Sequence, residues 1–208
     1  FWSDDYYGEG IWKYSLIDNA DPVLLVPRLH TPDNIVVHGN YYYWIDTFAD
    51  TGSVSRKYLY RTTLDGTQTV KLREGKLLQS TTNRILVDDT AVYWTNGSDY
   101  NSPVQIEKVP LDGSSPQTIY TASNVVRAIS MDDGYIYWLE KVISISPYEY
   151  DLFRIAKTGG DVETLSQGLI DAECVFVEPS INMTISGNFV YLGLSGQIIK
   201  VPSSGGSP

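Results

Sequence analysis

Ile85 to Tyr120, ILVDDTAVYWTNGSDYNSPVQIEKVPLDGSSPQTIY, is the stretch that decides the fold of this chain. Turn-forming strings divide it into four runs that are rich in β-branched and aromatic residues, and such runs are typical of β-strands. The predicted strands are Ile85–Asp88, Ala91–Asn96, Gln105–Leu111 and Pro116–Tyr120. Four strands joined in this order by short connections predict one antiparallel meander.

The same unit recurs along the chain. Its second strand ends in a related tetrapeptide five times, at Phe1-Trp2-Ser3-Asp4, Tyr43-Trp44-Ile45-Asp46, Tyr93-Trp94-Thr95-Asn96, Tyr137-Trp138-Leu139-Glu140 and Tyr191-Leu192-Gly193-Leu194. A basic residue recurs in the third strand, at Lys13, Arg61, Lys108, Arg154 and Lys200. Its successive spacings are 48, 47, 46 and 46 residues. Four strands in a period of this length are typical of the blades of a β-propeller.

The second strands are apolar on both of their alternating faces. The motif tyrosines lie on one face, and the repeated tryptophans, Trp2, Trp44, Trp94 and Trp138, lie on the other. A strand without a polar face is expected to lie between two sheets, whereas a two-sheet sandwich needs one polar face on each strand. The sequence therefore predicts an all-β fold, a β-propeller of four-stranded antiparallel blades.

The repeat predicts a single β-propeller domain over residues 1–208. Its parts are a partial blade at 1–27, blades at 34–73, 84–121 and 127–167, and a partial blade at 181–208. About four and a half blades are present, and an open stack of them would leave two apolar sheet faces in water. We therefore expect the chain to be a fragment of a longer, six-bladed ring.

At the repeated tetrapeptides the sequence resembles the YWTD-type six-bladed propellers of the low-density lipoprotein receptor family, most closely at Tyr43-Trp44-Ile45-Asp46. The longer string at 87–96, followed by the one at 108–113, is similar to the TolB-like propeller repeats of bacterial exported proteins of unknown function. The resemblance implies the propeller fold and export. It implies no particular activity, because propellers host unrelated functions. Leu192 replaces the tryptophan of the last copy, and only Asp4 and Asp46 keep the aspartate of the motif.

Charge and hydropathy limit the classes of partner. The formal net charge is −10 and the sequence pI is near 4.5, so nucleic acid and anionic membrane surfaces are expected to be repelled. No uncharged apolar run is long enough to predict insertion into a membrane. The start of the chain, FWSDDYYGEG, lacks the features of a signal peptide. We expect an extracellular or periplasmic protein whose export signal is not present in this chain.

Acidic and aromatic residues recur together in the connections between second and third strands. These residues are Asp5, Tyr6, Tyr7, Phe48, Asp50, Asp99, Tyr100, Tyr148, Glu149 and Tyr150. Variable loops on a rigid scaffold often bind ligands, although Tyr and Asp are also tolerated in exposed turns. The pattern predicts a non-catalytic binding module whose loop face takes a protein or a glycan, within a larger assembly.

A calcium-dependent hydrolase or lactonase is the alternative function. Asp88 and Asp132 occupy the same position of the repeat, where channel carboxylates could hold Ca²⁺. The other interpretation is that these side chains close a tight turn by bonding their own backbone. No enzyme motif is recognisable, so we expect no catalytic residue, and no cofactor other than this calcium ion. The basic column could form an anion-binding ring, or its members could pair with carboxylates and lie on aromatic rings.

Overall fold

The structure is a computed structural model in which residues 2–4, 10–17, 20–27, 29–49, 55–76, 84–97, 104–143, 147–171, 181–194 and 196–206 are described. Every regular element within these ranges is a β-strand. No helix in them is long and apolar enough to cross a membrane. The strands form five antiparallel sheets, which we call blades 1 to 5 in chain order.

Blades 1 to 3 are formed by eleven strands. Blade 1 contains β1 (Trp2–Asp4), β2 (Gly10–Lys13) and β3 (Val23–Pro27). Blade 2 contains β4 (Pro32–His38), β5 (Tyr41–Ala49), β6 (Ser55–Thr63) and β7 (Thr69–Lys76). Blade 3 contains β8 (Ile85–Val87), β9 (Ala91–Asn96), β10 (Gln105–Pro110) and β11 (Gln117–Thr121).

Blades 4 and 5 are formed by seven strands. Blade 4 contains β12 (Val125–Met131), β13 (Tyr135–Ile143), β14 (Tyr148–Ala156) and β15 (Glu163–Asp171). Blade 5 contains β16 (Met183–Ser186), β17 (Phe189–Leu194) and β18 (Gln197–Pro202). In each sheet the strands pair in the order in which they occur in the chain.

Two compact units divide these blades. The first unit contains Phe1–Gln79, Ile85–Ser102 and Ile106–Thr118, and so holds blades 1 and 2 and most of blade 3. The second unit contains Ser80–Arg84, Pro103–Gln105 and Ile119–Pro208, and so holds blades 4 and 5.

The Tyr-Trp strands form the core of each unit. All six residues of β9 are buried, and Trp44, Trp94 and Trp138 are each at most 1% exposed. Blade 3 packs on blade 2, because Trp94 belongs to the same apolar cluster as Tyr43 and Ile45 of β5. The other face of β5, with Tyr42 and Trp44, packs on Ile11 of blade 1. The prediction that a Tyr-Trp strand lies between two sheets is therefore confirmed for β5.

Tight turns between third and fourth strands hold neighbouring blades together. Gly66 and Gly113 adopt positive φ angles of 76° and 81°, which a residue with a side chain rarely adopts. A Cβ atom on Gly66 would lie 3.0 Å from the carbonyl oxygen of Leu25 in blade 1. A Cβ atom on Gly113 would lie 3.4 Å from Leu72 in blade 2. Glycine therefore serves both the turn and the close approach of the preceding blade.

The strands of blade 3 agree with the sequence prediction to within one residue at each end. The structure has them at Ile85–Val87, Ala91–Asn96, Gln105–Pro110 and Gln117–Thr121. The predicted all-β class and the four-stranded antiparallel blade are confirmed.

Candidate functional site

Most of the predicted loop face lies outside the described residues. Asp5, Tyr6, Tyr7, Asp50, Asp99 and Tyr100 are not described, nor is the side chain of Phe48. The backbone of Phe48 belongs to β5, where it pairs with Arg56. The described members of the predicted face are Tyr148, Glu149 and Tyr150.

These three residues lie in a strand, as does the backbone of Phe48, and the prediction that these four residues lie in loops is wrong. β14 begins at Tyr148, because the hairpin of blade 4 continues beyond the motif and pairs Lys141 with Tyr150. Side chains alternate along a strand, so Tyr150 points into the core and is only 1% exposed. Tyr148 and Glu149 are half-buried, and the Nζ atom of Lys141 lies 3.9 Å from the centre of the Tyr148 ring.

Asp88 and Asp132 both close the turn between the first and second strands of their blades. Oδ1 of Asp88 accepts hydrogen bonds from the backbone N–H groups of Thr90 and Ala91 at 2.8 and 3.0 Å. Oδ1 of Asp132 accepts from those of Gly134 and Tyr135, both at 2.8 Å. These are the local bonds that aspartate commonly forms in turns. Among the described residues, no group of three or more His, Cys, Asp or Glu side chains could hold a metal ion.

The second oxygen of Asp132 accepts a hydrogen bond from the hydroxyl of Tyr137 at 2.6 Å. Burial alone would raise the pKa of Asp132, but this bond and the two backbone N–H bonds hold it below its ordinary value. Burial, and after it the same contact with Asp132, raise the pKa of Tyr137 to about 12. The carboxylate is thus held ionised within the turn.

The basic column lies on aromatic rings. Three cations lie over the ring of an aromatic residue that stands two residues before the motif tyrosine position. The pairs are Arg61 over Tyr41 at 4.5 Å, Arg154 over Tyr135 at 4.3 Å and Lys200 over Phe189 at 3.6 Å. Ala91 occupies that position in blade 3, and there Lys108 lies 5.8 Å from the ring of Tyr93 instead. Lys13, in blade 1, is exposed. The other four cations of the column therefore lie over aromatic rings of their own blades, which is a favourable arrangement for a cation and a π-system.

Two arginines of this column also connect successive blades. Arg61 donates to the carbonyl oxygen of Leu111 at 2.7 Å, and Arg154 donates to that of Ser203. Each acceptor lies in the turn that follows the third strand of the next blade. Arg154 is also paired with Glu163 at 2.7 Å.

Asp46 and Glu140 lie two residues after the tryptophan of the motif. Each accepts hydrogen bonds from the backbone segment that precedes the first strand of its own blade. Oδ1 of Asp46 accepts from the N–H groups of His30 and Thr31 at 3.1 and 3.0 Å, and Oε2 of Glu140 accepts from that of Asn124 at 3.2 Å. His30 and Asn124 both lie sixteen residues before their acceptor. The role of Glu140 was missed from the sequence, although its place in the Trp-Leu-Glu string was the available signal.

A polar cluster lies in the seam between blades 2 and 3, by which we mean the contact of β6 and β7 with β9 and β10. Glu107 accepts four hydrogen bonds: from Nε and a terminal nitrogen of Arg73 at 3.0 and 2.9 Å, from the indole of Trp94 at 3.0 Å, and from the amide of Asn96 at 2.9 Å. Lys57, which is 0% exposed, donates to the carbonyl oxygen of Thr95. Its Nζ atom lies 4.8 Å from the centre of the Trp94 ring.

Sequence reasoning did not single out this cluster. The available signal was Glu107, which precedes the basic column where blades 2 and 4 have Tyr60 and Phe153. A carboxylate in a column that is otherwise aromatic or aliphatic indicates that a polar partner lies close by. Burial alone would raise the pKa of Glu107, but its hydrogen bonds from Arg73, Asn96 and Trp94 lower it below its ordinary value.

Comparisons with known proteins identify the fold and no family. No family model matches the chain, and no curated protein matches it. A solved structure of a nidogen/laminin complex is similar, with a TM-score of 0.58 and 18% identity, over 88% of this chain and 63% of the other. A variant of the apocarotenoid oxygenase of Synechocystis has a TM-score of 0.45 at 12% identity, over 85% of this chain and 48% of the other.

The chain therefore spans less than two thirds of the length of either of these two structures' chains. At its TM-score the oxygenase supports no inference. The likeness to the nidogen/laminin structure, at 18% identity, shows a shared fold alone. Together with the four-stranded antiparallel blades, it establishes the β-propeller that the sequence predicted.

Proposed function

We propose that this chain is a non-catalytic binding propeller, exported or surface-associated, that presents an acidic, tyrosine-rich loop face to a protein ligand. One observation carries the proposal: the second strands are packed on both faces, so that all six side chains of β9 are buried. Side chains in such strands are not available to a partner. Contacts are then left to the connections, where carboxylates and tyrosines recur after the second strand.

Charge supports a protein as the ligand. The chain carries 25 acidic and 15 basic residues, and Asp5, Asp50 and Asp99 add negative charge to the proposed face. Such a surface attracts a basic patch on another protein and accelerates its association. Tyrosines beside these carboxylates supply apolar contact area that ends in a polar hydroxyl.

The fold comparison is consistent with this proposal. The similar solved structure is a complex of nidogen with laminin, in which one protein binds another. By analogy of fold alone, we extend protein binding and an extracellular location to this chain. In the described part of the chain no observation favours the alternative, a calcium-dependent hydrolase, since Asp88 and Asp132 each use an oxygen atom to close a turn.

A peptide-display experiment tests the proposed face. Random peptides displayed on phage are selected on the immobilised chain, and the enriched peptides are synthesised and measured by biolayer interferometry. We expect basic peptides whose association rate falls steeply as salt is added. Tyr7→Ala and Tyr100→Ala should weaken their binding. Asp65→Ala and Asp112→Ala, in turns at the other end of the blades, are the matched controls and should leave it unchanged.

Two outcomes would contradict the proposal. Peptides that are lost in the Asp65 and Asp112 variants but retained in the two tyrosine variants would place binding at the opposite end of the blades. Binding to a glycan array that is insensitive to salt, without enrichment of basic peptides, would replace the protein ligand with a glycan.

A further inference from the structure

One face of blade 5 exposes an aliphatic side chain at a position that is buried in other blades. Ile198 lies on β18, two residues before Lys200 of the basic column, and is 79% exposed. Ile11, Leu59 and Leu152 occupy the same position in blades 1, 2 and 4, and each is 0% exposed. An apolar residue that leaves its usual buried place in a repeat indicates a surface on which a partner can pack.

In blades 1, 2 and 4 this position packs on the blade that follows. Each of its residues shares an apolar cluster with the residue at the motif tryptophan position of the next blade. The pairs are Ile11 with Trp44, Leu59 with Trp94 and Leu152 with Leu192. Within each of the two units, a blade therefore covers this position of the blade before it.

Blade 1 exposes the side chain that other blades use for this packing. Leu16, three residues after Lys13, is 90% exposed, and Ile17 beside it is exposed as well. Leu64 and Leu111 occupy the position of Leu16 in blades 2 and 3. Both are partly buried against the cluster that they share with the preceding blade. Leu16 therefore presents to solvent the group that docks on a preceding blade.

The basic column adds a hydrogen bond to the same packing. Arg61 donates to the carbonyl oxygen of Leu111, and Arg154 donates to that of Ser203. Each acceptor stands three residues after the basic residue of the next blade. By the same spacing, Lys200 of blade 5 is a donor that matches the carbonyl oxygen of Leu16 in blade 1. The exposed surfaces of blades 5 and 1 thus complement each other.

We propose that blade 5 of one copy of this chain binds blade 1 of a second copy, head to tail. Leu16 and Ile17 of the second copy pack on Ile198, and the Nζ atom of Lys200 donates to the carbonyl oxygen of Leu16. The contact repeats between copies the packing of one blade on the next. It joins two different surfaces and is therefore heterologous, and the mean mass of the particles rises with protein concentration.

Sedimentation velocity of the full chain at increasing protein concentration tests the proposal. The wild type should associate. Leu16→Asp and Ile198→Asp each place a charge in the contact and should raise the dissociation constant at least about tenfold. Ile170→Asp is the matched control, because it adds the same charge at an aliphatic side chain of blade 4 that is 51% exposed. It should associate like the wild type, and circular dichroism should show the same fold in all three variants.

Mixing the two contact variants tests the head-to-tail geometry. Leu16→Asp keeps the surface of blade 5 and Ile198→Asp keeps that of blade 1, so an equimolar mixture should form a heterodimer at a concentration where each variant alone is monomeric. A wild type that stays monomeric at every concentration would overturn the proposal. Association that is lost in Ile198→Asp but kept in Leu16→Asp would also overturn it, because blade 5 would then bind a different surface.

Discussion

The indole N–H of Trp94 donates a hydrogen bond to Glu107 at 3.0 Å. At the position of Glu107, two other blades have an aromatic ring against which the equivalent tryptophan lies. Trp44 stacks on Tyr60 with ring centres 4.5 Å apart, and Trp138 lies on Phe153 at 5.6 Å. A single residue of the repeat thus exchanges a ring stack for a carboxylate. That carboxylate in turn binds Arg73 of the preceding blade.

The tryptophan column should dominate stability. Trp44→Ala, Trp94→Ala and Trp138→Ala should each lower the free energy of unfolding by about 3–5 kcal/mol, because each removes a large buried side chain and leaves a cavity. Urea denaturation measures the change. Leu16→Ala, at a side chain that is 90% exposed, should stay within about 0.5 kcal/mol of the wild type. Wild-type stability in all three tryptophan variants would contradict the burial of this column.

Replacing Asp46 should expose its role at the entrance to blade 2. Asp46→Ala leaves the N–H groups of His30 and Thr31 without their buried acceptor, and should lower the free energy of unfolding by roughly 1–3 kcal/mol. Hydrogen exchange should show faster exchange of these two amides. Asp46→Asn keeps an acceptor oxygen and should retain most of the protection. Equal protection in Asp46→Ala and in the wild type would argue against the bond.

Arg61 of the basic column should stabilise the fold through two contacts, one with an aromatic ring of its own blade and one with the next blade. Arg61→Met keeps the apolar stem but loses the cation over Tyr41 and the bond to the Leu111 carbonyl, which should cost about 1–2 kcal/mol in urea denaturation. Lys13→Met changes an exposed member of the same column and serves as the control. If both variants lower the free energy of unfolding by the same amount, the stacking of Arg61 does not stabilise the blade.

Gly75 is required by the close packing of blades 2 and 3. A Cβ atom at this position would lie 2.6 Å from both Oδ1 of Asn96 and the Trp94 ring, so Gly75→Ala should lower the free energy of unfolding by about 1–3 kcal/mol. At Gly134 the nearest atom to such a Cβ is 3.9 Å away, so Gly134→Ala should be nearly neutral. An unchanged free energy of unfolding for Gly75→Ala in the same urea titration would show that the seam can accommodate a Cβ atom at this position.

Strand positions were predictable because the signals that set them are local. In blade 3, apolar runs and turn strings place all four strands to within one residue of those in the structure. The prediction was less accurate at Tyr148, where the chain continues in strand pairing and the acidic and aromatic residues had indicated a loop. Pairing with Lys141 and Ile143 on the partner strand decides this boundary, and composition does not report pairing.

The sequence by itself therefore determined the period, the number of strands in a blade and the glycine turns, because these depend on residues close to one another in the chain. Only the tertiary structure decided which partner each polar residue of the repeat has. Glu107 and Lys57 find theirs 34 and 38 residues away, on a neighbouring blade. A period of 46 to 48 residues predicts that blades are adjacent, but the contact of two particular side chains depends on how one sheet packs against the next.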